Sequence, residues 1–206
     1  MSGRHEITTL DELEAIYGAP RPQSLLKEVG HLTPQYRAWI EASPFVVLAS
    51  AGKDGLDCTP RGDGARIVEV IDERTLLMPD RPGNNRIDTL RNLVADPRVA
   101  LLFLVPGRDE TIRVIGRASI STDPELLNRC SVDGKLPRTV LIIEVTSVFF
   151  QCARALKRSR LWAHPQRQDA PALPSVGEIL QSISNGTFDG AAYDAELGER
   201  INKSLY

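Results

Sequence analysis

Residues 79–107, PDRPGNNRIDTLRNLVADPRVALLFLVPG, carry the clearest structural signal in this chain. The stretch opens as a Pro/Gly-rich loop from Pro79 to Asn84, a composition that favours turns. Arg86 to Val94 has helical character and stops at Asp96-Pro97, because the residue before proline avoids the helical region. Val99 to Val105 is almost entirely apolar, as expected of a strand buried on both faces. The stretch therefore reads as loop, helix and strand, with the helix inserted among strands.

The flanking sequence continues the pattern. On the N-terminal side, Phe45 to Ala49 is a short apolar run closed by the turn-forming Gly52-Lys53-Asp54-Gly55. Ile67 to Ile71 is β-branched, and Thr75 to Met78 forms a brief strand. On the C-terminal side, Thr111 to Ser119 alternates, with Gly116 as a bulge or crowded point. Asp123-Pro124 opens a short helix, and Val140 to Phe150 is a further β-rich run. Thr8 to Ala42 reads as helical; Thr33-Pro34 forms a hydroxyl-capped entry and Ser43-Pro44 an end. Beyond Pro171, Ser175-Val176-Gly177-Glu178 matches a capping box, and a last helix is expected over Ala191 to Leu205. Six or seven strands joined mainly by short connections, with one inserted helix, suggest a closed or partly closed antiparallel barrel.

Composition narrows the function classes. The chain has 206 residues, room for one ordinary domain with short extensions, and 42% of it is apolar. Lys plus Arg number 25 against 27 Asp plus Glu, which argues against a general nucleic-acid binder. No apolar run reaches the roughly 18 residues of a membrane span. The polar, acidic start lacks the layout of a secretory signal. Cys58, Cys130 and Cys152 are far apart and form no CxxC pair, so neither a zinc site nor a disulfide framework is expected. A cytoplasmic location is the simplest reading.

Three stretches could carry chemistry. In the first, a helix start offers unpaired amides and a positive dipole end, which suit a phosphate. Asn84 or Asn85 can cap that helix. Arg86 in its first turn opposes the dipole unless an anion sits there, although Arg86 and Arg91 also fit solvated surface positions. The second, Cys58-Thr59-Pro60-Arg61-Gly62-Asp63-Gly64, reads equally as a loop for a flat polar ligand or as a turn with a local ion pair. The third, Phe149 to Trp162, is strongly basic with aromatics at each end. It suits nucleic acid, an interface with Arg and Trp anchors, or a solvated helix. No histidine pairs evidently with Cys152 for nucleophilic catalysis, and a haem would have to rely on a residue such as His164.

Four segments taken together resemble the pyridoxamine 5′-phosphate oxidase-like superfamily, and more narrowly a bacterial branch of FMN-dependent proteins. They are SPFVVLASAGKDGLDCTPRGD (43–63), the 79–107 stretch, ETIRVIGRA (110–118) and VFFQCARALKRSRLW (148–162). The resemblance covers about residues 40–165. It implies a mainly β protein with flanking helices: a helical extension over 1–42, a six-stranded antiparallel split barrel over 43–165, and a helical tail over 166–206. It also implies a homodimer with FMN in clefts between the subunits. The family's phosphate-binding Arg falls at Arg86, beside Asn85, while the Lys that follows it in the true oxidases is Ile87 here. Arg81, Arg91 or Arg61 could replace that contact. The flavin-contacting Gln falls at Thr111. Pro60, Arg61 and Asp63 lie where an earlier strand meets the ring or ribityl chain, and Met78, Pro79 and Asp80 lie on the neighbouring strand end. Trp162 with Arg158 and Arg160 resembles a segment that one subunit lends to the other's cofactor. The oxidases' substrate-clamping Arg-x-His pair has no counterpart in INKSLY, so pyridoxamine phosphate is not the expected substrate. The implied activity is hydride transfer between NAD(P)H or a small molecule and FMN, with no catalytic side chain assigned. A non-catalytic flavin- or haem-binding protein on the same fold is the alternative, and related barrels use a deazaflavin.

Overall fold

The computed structural model describes residues 5–53, 55–64, 66–163 and 173–203. His164 and the end of the expected last helix lie outside them. Seven strands form one antiparallel sheet: β1 Phe45–Gly52, β2 Gly55–Gly62, β3 Glu69–Val70, β4 Thr75–Pro79, β5 Arg98–Leu104, β6 Thr111–Ser121 and β7 Val140–Gln151. Their order is β2-β1-β5-β6-β7-β4-β3. Eight helices accompany them among the described residues: α1 Leu10–Tyr17, α2 Pro22–Leu26, α3 Pro34–Glu41, α4 Asp88–Ala95, α5 Pro124–Arg129, α6 Arg154–Ser159, α7 Val176–Ile183 and α8 Gly190–Lys203.

The sheet curls so that the ends of β2 and β4 approach each other, but among the described residues no backbone ladder joins them. Two ion pairs cross the seam instead. Arg61 on β2 reaches Asp80, just past β4, at 2.8 Å, and Arg81 reaches Asp63, just past β2, at 2.8 Å. The result is a split barrel of mainly antiparallel β structure, with seven strands where six were expected. The additional short strand is β3, which lies within the β-branched 67–71 run. Segment 58–64, open between loop and turn in the sequence, lies largely in β2. Pro60 is tolerated there because β2 is an edge strand and pairs on one side only.

Alternate residues of β1, β5, β6 and β7 fill the interior. Val46 and Leu48 of β1, Leu101 and Phe103 of β5, Ile112 and Val114 of β6, and Ile143 and Val145 of β7 form one buried cluster. The strand buried on both faces is β4 rather than β5: Leu76 and Met78 join that cluster, while Leu77 packs with Val140 and Cys130 beside α5. β5 alternates buried and half-buried residues. The helical stretch expected over 8–42 consists of three short helices. Thr33 caps α3 as expected, with its hydroxyl accepting the Tyr36 N–H at 3.2 Å, and α3 buries Ile40 in the core. Ser175 and Glu178 form the expected capping box of α7, which packs on α8 through close approach of Gly177 and Gly190.

Gly116 marks the register shift between β6 and β7, and a Cβ there would strike the Glu144 carbonyl oxygen. Gly116→Ala should therefore destabilise the fold by about 2 kcal/mol, read as a lowered urea midpoint with unchanged slope. At the seam, the Asp63 side chain is 0% exposed and Arg81 16%. Asp63→Ala strands a largely buried guanidinium and should cost about 3 kcal/mol by the same measurement.

Candidate functional site

A cleft of about 610 Å³ lies along the seam. One wall is Asp57 to Gly62 of β2, and the other runs from Pro79 to Leu90, through the end of β4 and the loop into α4; Arg138 and Ile67 complete it. The seam ion pairs explain why these walls face each other. Asp80 N–H also donates to the Thr139 carbonyl at 2.9 Å, which ties the loop before β7, with Arg138, to the same corner.

α4 is anchored over the barrel. Leu93 enters the core, Thr89 donates its hydroxyl to Asp57 at 2.8 Å, and Asn92 donates to the Ser50 hydroxyl at 3.1 Å while lying against Gly52. The helix begins later than its spacing suggested, at Asp88, so Arg86 precedes it instead of occupying its first turn. Neither Asn84 nor Asn85 caps it. Asn84 accepts the Arg86 N–H at 3.1 Å, and Asn85 accepts from Arg138 at 3.0 Å. The N-cap position is Ile87, which makes no side-chain cap bond. Asn85 and Ile87 have φ of 61° and 54°. Left-handed geometry is ordinary for Asn but strained for a β-branched residue, and it turns the chain sharply into the helix.

The cleft is polar. Arg61 pairs with Asp80, Arg81 with Asp63, and Arg86 with Asp88 at 2.8 Å. The hydrogen-bonded Asp88 carboxylate raises the Arg86 guanidinium pKa above its ordinary value. Arg91 lies 3.8 Å from the same carboxylate. Among the described residues, the buried Arg61 Nε–H has no hydrogen-bond partner. Such an orphan donor is unfavourable by about 1–3 kcal/mol unless an acceptor meets it.

Of the residues singled out from the sequence, the structure brings Pro60, Arg61, Pro79, Asp80, Asn85 and Arg86 into this cleft. Asp63 lies beneath it, holding Arg81. Met78 does not line it: the pleat turns that side chain into the barrel core. Thr111 is buried at the start of β6, between Glu110 and Ile112, which line a separate groove of about 400 Å³ with Trp39, Tyr36 and Phe150. Arg158, Arg160 and Trp162 also lie outside the cleft of their own chain. Trp162 Nε1 donates to the Arg108 carbonyl at 2.6 Å, and Arg158 Nε donates to the Arg154 carbonyl at 3.2 Å. Asp57, Thr89 and Arg138 were not singled out. Arg138 lies about 50 residues from the loop it joins, in a segment without a motif, so only the folded chain connects them.

Among the described residues, no helix is long and apolar enough to cross a membrane. No curated protein matches the chain significantly. Similar folds occur in HupZ of Group A Streptococcus (18% identity, 58% of this chain and 93% of that one, TM-score 0.49). They also occur in General Stress Protein 26 of Bacillus anthracis (18%, 55% and 88%, 0.43) and in a FAD-binding protein of Mesorhizobium loti (17%, 58% and 93%, 0.42). At such values these likenesses say nothing of what this chain binds. The profile of the pyridoxamine 5′-phosphate oxidase family, by contrast, matches residues 32–152, a span that holds the barrel, the seam and every residue lining the cleft. The chain belongs to the pyridoxamine 5′-phosphate oxidase family.

Proposed function

We propose that the seam cleft binds FMN and that the protein is an FMN-dependent oxidoreductase working as a cytoplasmic homodimer. The observation that carries the reading is the buried, unpartnered Arg61 Nε–H in a polar cleft of cofactor size. An acceptor on the ligand would satisfy it. The uncapped start of α4 beside Arg86 adds donors suited to a phosphate.

In this reading, Arg86, Asn85 and the first turn of α4 hold the phosphate end. Pro60, Arg61 and the Pro79-Asp80 corner border the ribityl chain and ring. Arg61 places a cation where negative charge on the ligand is favoured. Arg158, Arg160 and Trp162, which lie outside the cleft of their own chain, act in this reading on the partner's cofactor. Bound FMN supplies hydride acceptance and donation. NAD(P)H or a small reduced molecule serves as the second substrate. The side chains orient and charge-match the ligand, and none is assigned as an acid or base.

One observation favours a second reading, flavin or haem binding without turnover. Each carboxylate lining the cleft already has a partner: Asp57 has Thr89, Asp80 has Arg61 and Asp88 has Arg86. The two readings separate in one experiment. The purified protein titrated with FMN should show flavin absorption bands and run as a dimer on sizing. Bleaching by NADH or NADPH supports the oxidoreductase, retained flavin without reduction by either supports the binding protein, and indifference to FMN overturns both flavin readings. Arg86→Ala should weaken FMN binding by roughly tenfold, the low end for a charged contact, because Arg86 must first leave Asp88. Flavin fluorescence titration measures this, and an unchanged affinity removes Arg86 from the site.

A further inference from the structure

We propose that Arg138, rather than Arg86, is the principal reader of the ligand's phosphate. The inference rests on the FMN reading above and concerns how the cleft divides its charge. Four arginines line the cleft, and three of them face carboxylates: Arg61 with Asp80, Arg81 with Asp63, Arg86 with Asp88. Arg138 is the exception. Its one described contact is neutral, Nη1 donating to the Asn85 amide oxygen at 3.0 Å, and among the described residues no carboxylate pairs with it.

An anion entering the cleft meets two kinds of arginine. A paired guanidinium must give up or share a carboxylate, which returns part of what the phosphate contributes. Arg138 has no such competitor and keeps donors for a forked contact with phosphate oxygens. It is also well supported. The next residue, Thr139, accepts the Asp80 N–H at 2.9 Å, and Val140 begins β7 opposite Pro79. The bond to Asn85 places Arg138 on the left-handed turn that leads past Arg86 into α4. The guanidinium thus stands beside the loop assigned to the phosphate, although its own segment is far away in sequence.

Riboflavin, which is FMN without its phosphate, provides the test. The full chain is titrated with both flavins by fluorescence, as wild type, Arg138→Met, Arg138→Lys and Arg86→Ala. Wild type should prefer FMN. Arg138→Met should lose about tenfold or more in FMN affinity and bind riboflavin as before, which also shows that the cleft is intact. Arg138→Lys should fall between, since it keeps the charge without the fork. Arg86→Ala should keep more of the preference for FMN than Arg138→Met does. The proposal is overturned if Arg138→Met still discriminates as wild type does, if Arg86→Ala loses more of the preference than Arg138→Met does, or if the two Arg138 variants lose FMN and riboflavin equally, which would make Arg138 a support of the loop. It also falls if wild type binds both flavins alike, while the flavin reading survives. Wild type binding neither flavin overturns the FMN reading itself.

Discussion

Two carboxylate–guanidinium pairs, Arg61–Asp80 and Asp63–Arg81, stand where the curled sheet has no hydrogen-bonded ladder, and the position of both cleft walls depends on them. β2 is one end of the strand order and β4 lies near the other, so nothing in the backbone pairing alone requires their ends to meet. Burying Asp63 completely is unfavourable unless its charge is matched. Arg81 matches it, and a second Arg81 nitrogen donates to the Cys130 carbonyl at 2.9 Å, which ties the seam to the C-terminus of α5. The same crossing leaves room for a ligand. A ladder would bring the strands to about 4.8 Å and fill the seam with backbone, whereas side-chain bridges at one end leave a polar cleft beside them.

The entry to α4 shows the complementary principle. Ile87 in the left-handed region is unfavourable by about 1–2 kcal/mol and adds no cap bond. It persists because the helix behind it is fixed at several points, by Leu93 in the core, Asn92 on Ser50 and Thr89 on Asp57. Arg138 holds Asn85 from the other side. The strain is local, and the packing that sustains it also keeps the first turn of α4 at the cleft wall.

These two features explain what could be read from the amino-acid sequence. Strands with β-branched or apolar runs were legible, and so were the α3 and α7 caps and the crowding at Gly116, because their signals are local. β2 was harder, since Gly55, Asp57, Pro60 and Gly62 carry little strand propensity; the segment pairs because β1 offers it an edge. The start of α4 was misplaced because Asn84 and Asn85 resemble caps, yet their side chains serve the loop instead. Met78 was adjacent to the cleft in sequence and faces away from it in space, a difference set by the pleat. Arg138 carried no local signal at all. Its place follows from the register of β7 on β4, a contact between residues some 60 apart.

Arginine-rich motifs suggest anion binding, but here most of the cleft's arginines have carboxylate partners and act in construction. Two of those pairs close the barrel, and the third holds Arg86 against Asp88 at the helix entry. The capacity to attract an anion is therefore set by the charge left over after pairing, not by the count of arginines in the loop. The same accounting applies to the acids. Asp57, Asp80 and Asp88 each accept a hydrogen bond that holds the cleft together. In the flavin reading, a site built in this way positions the cofactor and biases its charge. Its chemistry would then reside in the cofactor, and evolution could change substrate by altering the rim of the cleft without disturbing the pairs that hold the barrel together.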